Sequence, residues 1–223
     1  MNDPYRRTAR YYDTFVEPPN VVLRKIGLRM CPPWEGMKVL EVGCGTGTNL
    51  SLYENAGCDV FGIDLSPAML EVASRKLSER ADLRQADAAE MPYADDSFDL
   101  VTSFLTLHEM PAAVRGDVMA EMVRVLNRDG RLLLIDYRSG PIRFPKGWLL
   151  KTLIVSMELA AGREHFRNYR DFLARDGLPG LISAHGLSVE IEKVVSAGNM
   201  HAYVAQRLRL RCSFTREIGA QGW

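Results

Sequence analysis

The 223-residue sequence lacks an apolar run of the roughly 18 residues expected of a bilayer-spanning helix. Its most apolar stretch, GWLLKTLIVSMELAAG, is short and interrupted by Lys151, so no stable membrane insertion is expected. The four cysteines, Cys31, Cys44, Cys58 and Cys212, are widely spaced and form no CxxC pair, which argues against a zinc site and a disulfide framework. Reduced thiols in a cytoplasmic protein are the expectation. Net charge is also missing: 28 Lys and Arg balance 28 Asp and Glu, so no global field draws nucleic acid or an acidic membrane surface. The N-terminal MNDPYRRTARYYD carries early arginines with no apolar run behind them and does not read as a secretory signal. Internal repeats and low-complexity tracts are absent too.

What is present is an alternation of short apolar runs with longer segments of helical period, the pattern of an α/β domain. Strands are predicted at about 37–42, 59–63, 82–86, 98–104, 131–137, 187–194 and 200–207, enough for a doubly wound sheet. Ser66 and Pro67 read as the cap and first turn of a helix running to Glu79. Pro111–Leu126 reads as another, with Val114, Val118, Met122 and Val125 toward a core and Gly130 nearby to stop it. Two helical stretches at about 4–16 and 19–30 precede the first strand and are expected to cap one end of the sheet. Between Ser139 and Gly186 there is room for two or three helices where one would suffice, which suggests a lid or a partner surface.

The stretch VLEVGCGTGTNL, Val39–Leu50, joins a strand to a helix through Gly43, Gly45 and Gly47. A glycine turn lets backbone approach a ligand closely, and the helix behind it offers unpaired N–H groups to negative charge. A nucleotide-like ligand is implied. The dinucleotide pattern GxGxxG is not met, because Thr48 stands where the last glycine would fall. Asp64 ends the second strand, where a carboxylate can accept hydrogen bonds from ribose hydroxyls, and Asp87 ends the third on the same sheet edge, facing where an adenine amino group would lie.

These residues resemble the class I methyltransferases that use S-adenosylmethionine. Four motifs carry the resemblance, in family order: VLEVGCGTG, GIDLSPAML, ADAAEMPYADDSFDLV and EMVRVLNRDGRLLLIDY. Similarity is nearest to the branch of quinone-biosynthesis C-methyltransferases and related small-molecule enzymes, helped by YDTF near the N-terminus. It covers about residues 37–137 well and the region from 139 onward poorly. The resemblance implies a Rossmann-like, mostly parallel seven-stranded sheet whose last strand is antiparallel. It also implies one domain: a helical cap (1–36), a cofactor core (37–138), a helical lid (139–186), two last strands (187–208) and a tail (209–223) without functional account.

By the same resemblance the S-adenosyl-L-methionine site comprises Tyr12, Glu41, Gly43, Cys44, Gly45, Gly47, Asp64, Leu65, Met69, Asp87, Ala88 and Ser103. Glu41, Gly43 and Gly45 would meet the methionine end, Asp64 the ribose, and Asp87 with Ala88 the adenine. Leu65 and Met69 would pack around adenine and ribose, and Ser103 would lie near the methionine carboxylate or the reacting methyl.

His108, in LTLHEMP after the fourth strand, stands where ligands bind in open α/β sheets and is the candidate general base, with a polar pocket lining as its plainer alternative. Glu109 reads as a helix-start or solvent residue. Asp95, Asp96 and Asp99 read as a solvated turn and strand start rather than a metal cluster, and no metal is assigned. His165, Arg167, Tyr169 and Arg170 in EHFRNYRDF read by default as a solvated helix face. If Trp148, Leu149, Leu150, Leu153, Ile154 and Met157 line the pocket, the small-molecule acceptor is apolar or aromatic, quinone-precursor-like or lipid-like; the same residues could form a homodimer face. Two other functions stay open here: a catalytically silent cofactor-binding or partner protein, and an NAD-dependent oxidoreductase.

Overall fold

A computed structural model describes residues 3, 5–15 and 20–208 of the chain. The tail from 209, with Cys212, lies outside the described residues. Seven strands form one sheet in the order β3-β2-β1-β4-β5-β7-β6. They are β1 (Lys38–Val42), β2 (Asp59–Asp64), β3 (Asp82–Gln85), β4 (Phe98–Phe104), β5 (Leu126–Tyr137), β6 (Leu187–Val195) and β7 (Met200–Arg207). The first five pair in parallel, and β7 runs antiparallel to both β5 and β6. All seven expected strands are present.

Helices cover both faces, as the continuous apolar runs of central strands require. The residues of β1 alternate between two cores. Val39 joins Leu100, Leu133 and Ile135 on one face, while Leu40 and Val42 join Val101, Leu132 and Leu134 on the other. The first face is covered by α2 (Val21–Met30) and α3 (Thr48–Glu54), the second by α5 (Ala112–Val125) and α8 (Gly177–Ala184). Complete burial of a Leu or Val side chain stabilises by about 1.5–3 kcal/mol, so these two layers dominate the favourable side of folding.

Several elements differ from expectation. The N-terminal helices are α1 (Ala9–Phe15) and α2, shorter than predicted. Nor does α2 cap the sheet's end: it lies on a face, with Gly27 so near Leu133 that an added Cβ would come to 3.1 Å. Helix α4 (Pro67–Lys76) starts as predicted, Ser66 Oγ accepting from the Met69 N–H at 3.1 Å, but ends earlier than Glu79. In α5, Val118, Met122 and Val125 are buried while Val114 is exposed. Gly130 does not stop that helix, because β5 begins directly at Leu126, five residues before the predicted strand start. Leu126 pairs with Phe98 of β4, and Arg207 Nη2 donates to the carbonyls of Val123, Arg124 and Leu126 where the helix ends.

Residues 139–186 hold three helices: α6 (Lys146–Ala160), α7 (Arg163–Ala174) and α8. Only Ile154 among the six apolar residues singled out in α6 is buried; Leu150 is intermediate, and Trp148, Leu149, Leu153 and Met157 are exposed. They do not line an enclosed pocket. No described helix is long and apolar enough to cross a membrane.

Candidate active site

The glycine turn leaves β1 at the carboxyl edge of the sheet. The N–H groups of Gly43 and Cys44 both donate to the Ile63 carbonyl, at 2.9 and 3.0 Å, which folds the turn back against β2. Gly43 has φ +68°, and a Cβ there would fall 2.3 Å from Thr106 Cγ2, so the chain just after β4 requires a glycine. Gly45, at φ +51°, differs in kind: an added Cβ would meet nothing within 4 Å. Its α-carbon faces open space, the condition for close approach of a ligand. Gly47 precedes α3 as its cap residue.

Asp64 ties this turn to the next helix. Its Oδ2 accepts the Gly45 N–H and its Oδ1 the Ser66 N–H, both at 2.8 Å. Burial pushes the Asp64 carboxyl above 3.8 despite these two bonds, and nearby Asp3 adds to the effect. A carboxylate so placed is short of positive partners and suits the hydroxyl donors of a ribose. Around it, Leu65 is exposed and Met69 buried, while Asp87 is exposed and accepts the Ala89 N–H at 2.9 Å in the turn that buries Ala88. Cys44 is buried, and burial pushes its thiol well above 9.0. Ser103, at the end of β4, is buried with an Oγ that makes no hydrogen bond. Glu41 sits deeper than the turn, 2 % exposed, with Arg24 Nη1 at 3.9 Å.

The N-terminal segment closes over this edge. Asp3 accepts from Ser66 Oγ at 2.9 Å and from the Ala68 N–H at 3.2 Å, a second cap on α4 from far away in sequence. Tyr5 and Tyr12 meet edge to face with centroids 6.4 Å apart. Tyr5 lies in the turn before α1, and its hydroxyl donates to Glu109 Oε2 at 3.2 Å. Of the two roles expected for Glu109, helix start or solvent, the solvent one does not hold: it lies in a 3₁₀ turn as a partly buried hydrogen-bond partner, and burial raises its carboxyl above 4.5. Asp13 fastens α1 to the glycine turn and α4. Thr46 Oγ1 donates to its Oδ1 at 2.6 Å, and Lys76 Nζ lies 2.7 Å from its Oδ2. Burial raises the Asp13 carboxyl, but the bonds from Lys76, Thr46 and Thr48 outweigh it and hold it below 3.8.

A folded-state value below the unfolded one means that this fastening is present above pH 3.8 and is lost as pH falls through the lower folded value. Asp13→Asn at neutral pH is expected to accelerate trypsin cleavage at Arg6, Arg7 or Arg10 by up to about fivefold, the range of a partly exposed ion pair. Equal cleavage rates in the variant and the parent would show that α1 is held by other contacts.

His108 follows β4 in a 3₁₀ turn (Leu107–Glu109) and is 2 % exposed. Its Nδ1 lies 2.7 Å from Asp136 Oδ1 on β5, so the Asp136 carboxylate fixes the orientation of the ring. Burial alone would pull this imidazole down, but Asp136, with Glu109 and Glu158, lifts it to about 9. Nε2 faces Glu158 of α6, whose Oε1 is 3.6 Å away, and Glu158 Oε2 lies 2.8 Å from Nε2 of His165 on α7. His165 is thus drawn into the site rather than left on a solvated face. So is Tyr169, buried and accepting from Lys151 Nζ at 2.7 Å; of the four residues singled out in that run, Arg167 and Arg170 remain exposed.

Sequence reasoning missed Asp136 and Glu158. Asp136 had a signal, an acid at the end of a predicted strand on the ligand-binding edge; Glu158, inside an apolar helix, could be read as a break in the pattern. Asp95, Asp96 and Asp99 serve structure: Asp95 pairs with Arg124 at 2.8 Å, Asp96 with Arg207 at 3.1 Å, and Asp99 accepts the Lys38 N–H.

Comparison with known proteins meets this geometry at the same place. Residues 40–134, from β1 through β5, match the family described as Methyltransferase domain. Over these residues the chain is similar to that methyltransferase domain. A demethylmenaquinone methyltransferase of Clavibacter sepedonicus is 34 % identical over 116 residues, 51 % of this chain and 46 % of that protein. The chloroplastic 2-phytyl-1,4-beta-naphthoquinone methyltransferase of Arabidopsis thaliana is 28 % identical over 225 residues, covering 91 % of this chain and 85 % of that one. The chain spans about half the length of the first curated relatives it matches. Among solved structures, the Burkholderia thailandensis 1,6-didemethyltoxoflavin-N1-methyltransferase, with its substrate and S-adenosylhomocysteine bound, superposes with a TM-score of 0.62. Identity to it is 17 %, over 92 % of this chain and 84 % of that one. At that identity the likeness concerns the methyltransferase fold alone.

Proposed function

We propose that the chain transfers a methyl group from S-adenosyl-L-methionine to a small molecule. The observation that carries this reading is the pairing of Gly45, whose α-carbon faces open space, with Asp64 beside it at the carboxyl edge of the sheet. In this reading Asp64 holds the ribose, the exposed Leu65 covers the adenine, Asp87 with Ala88 takes the adenine edge, and Ser103 Oγ finds at the methionine end the partner it otherwise lacks. Glu41, Gly43, Cys44, Gly47 and Met69 shape the turn from behind, and Tyr12 covers it.

A methylsulfonium is already activated, so the chain must chiefly align the acceptor in line and keep water out. The N-terminal segment and the α6–α7 pair supply that exclusion. His108, pinned at Nδ1 by Asp136, is the proposed catalytic group, acting on the acceptor through Nε2. For the acceptor, the demethylmenaquinone and phytyl-naphthoquinone relatives favour a quinone-related aromatic ring. The exposed face of α6 no longer adds to that argument.

Calorimetric titration with S-adenosylmethionine, S-adenosylhomocysteine and NAD in parallel, followed by methylation assays on reduced naphthoquinones, tests the reading. Saturable adenosyl binding with methylated naphthoquinol as product is expected. NAD binding alone would replace it with an oxidoreductase, and adenosyl binding without turnover on any acceptor would favour a silent cofactor-binding protein.

A further inference from the structure

The structure assigns a divalent transition-metal site to His108, Glu158 and His165, beside the cofactor turn. This departs from the sequence, where no metal was expected. One ligand atom from each of the three residues, an imidazole nitrogen or a carboxylate oxygen, lies within 4.8 Å of the other two. Two donors bound to one ion at about 2.1 Å stand roughly 3–3.5 Å apart, and the two histidine-to-Glu158 separations, 3.6 and 2.8 Å, bracket that span. Bringing all three onto one ion asks about 1 Å of movement from His165, the half-buried member of the set.

Three further observations point to an ion. First, Glu158 is 5 % exposed and its carboxylate sits between the two imidazoles, with His165 Nε2 at 2.8 Å and His108 Nε2 at 3.6 Å, and Tyr137 as a further hydrogen-bond partner. Second, Asp136 accepts at His108 Nδ1, the outer carboxylate that orients a metal-binding imidazole and makes its other nitrogen a better donor. Third, the carboxylates of Asp136 and Glu158 lie within 3.6 Å of the two imidazoles, which are uncharged when they ligate, and the nearby Lys151 directs its ammonium to the Tyr169 hydroxyl. A divalent ion offsets that surplus of acids.

Two imidazoles and one carboxylate suit zinc, cobalt, iron or manganese better than calcium or magnesium. Three protein ligands leave a position open, as in catalytic rather than structural sites. The use of the ion, though not its presence, rests on the methyl-transfer reading: the ion would act as a Lewis acid on an acceptor oxygen. With the ion bound, the Nε2 lone pair of His108 is spent on it, and His108 reaches the acceptor only through the metal.

The test is titration of chelator-stripped, untagged full-length protein with Co²⁺, read by visible absorption, and then with Zn²⁺ as competitor. One equivalent of Co²⁺ is expected, displaced by Zn²⁺, with affinity reduced at least tenfold in Glu158→Gln and in His165→Gln. His165 is partly exposed, so its variant guards against loss of fold, which circular dichroism of both variants monitors. S-adenosylhomocysteine titration of the same samples separates this site from the cofactor site, since its binding should persist when metal binding is lost. Absence of saturable Co²⁺ binding by the parent protein, or binding unaltered in both variants, overturns the assignment and leaves the cluster a buried acid–histidine network.

Discussion

Asp64→Ala is expected to weaken S-adenosylhomocysteine binding by at least about 100-fold. Two hydrogen bonds from ribose hydroxyls to a carboxylate contribute about 1.5–3 kcal/mol each, and 1.4 kcal/mol is tenfold in affinity. The same substitution removes the acceptor shared by the Gly45 and Ser66 N–H groups, so the turn loses its anchor as well as its ligand contact. Asp64→Asn separates the two effects. It keeps one carbonyl acceptor and the side-chain volume, and should fall between the alanine variant and the parent. Calorimetric titration with a parallel urea melt reads both effects, and a loss below tenfold in Asp64→Ala would move the ribose away from this residue. Because burial raises the Asp64 carboxyl, affinity should decline on acidification at a higher pH than 3.8, the value of an ordinary aspartate.

Arg115→Met is expected to cost about 3–5 kcal/mol of stability, the range for breaking a buried, charge-assisted network by removing one partner. Arg115 is 2 % exposed and holds the 3₁₀ turn of His108 against α7. Its Nε donates to the Leu107 carbonyl at 2.9 Å, and its Nη2 to the carbonyls of Met110 at 2.7 Å and Asn168 at 3.3 Å. Asp171 lies 3.4 Å from Nη1, and the ring of Phe172 lies under the guanidinium. Methionine fills the volume but removes the guanidinium donors from all three carbonyls, leaving that of Leu107 only the 3.3 Å bond from the Met110 N–H. Arg115→Lys should recover only part of the loss, because one ammonium cannot reproduce a planar fork reaching three carbonyls. Urea unfolding measures both, and a cost under 1 kcal/mol for the methionine variant would mean that the turn and α7 are held together by packing alone.

The two variants probe parts of the site that differ in how far the sequence reveals them. The cofactor edge is legible because its contacts are local. Gly43, Gly45 and Asp64 stand at the ends of adjacent strands, and the alternation of apolar runs with turn residues places those ends on one edge before any packing is known. Ser66 and Pro67 declare their helix start for the same reason. The acceptor side is not legible in this way. His108 stands 28 residues from Asp136, 50 from Glu158 and 57 from His165. Glu158 reads as an exposed break in an apolar helix until α6 is laid against the sheet. Likewise Glu109 looks like a solvent residue until the N-terminal segment folds across and Tyr5 reaches it.

The seven strands, the glycine turn and the acids that follow it are readable from residue order, because strand period and turn chemistry are properties of neighbours in the chain. Only the tertiary structure decided that α2 covers a face, that Asp13 fastens α1 to the cofactor turn, and that two histidines and a glutamate share one buried corner. Those contacts join residues far apart in the chain. Which partner each polar group finds depends on how helices pack on the sheet, and the local pattern does not encode it.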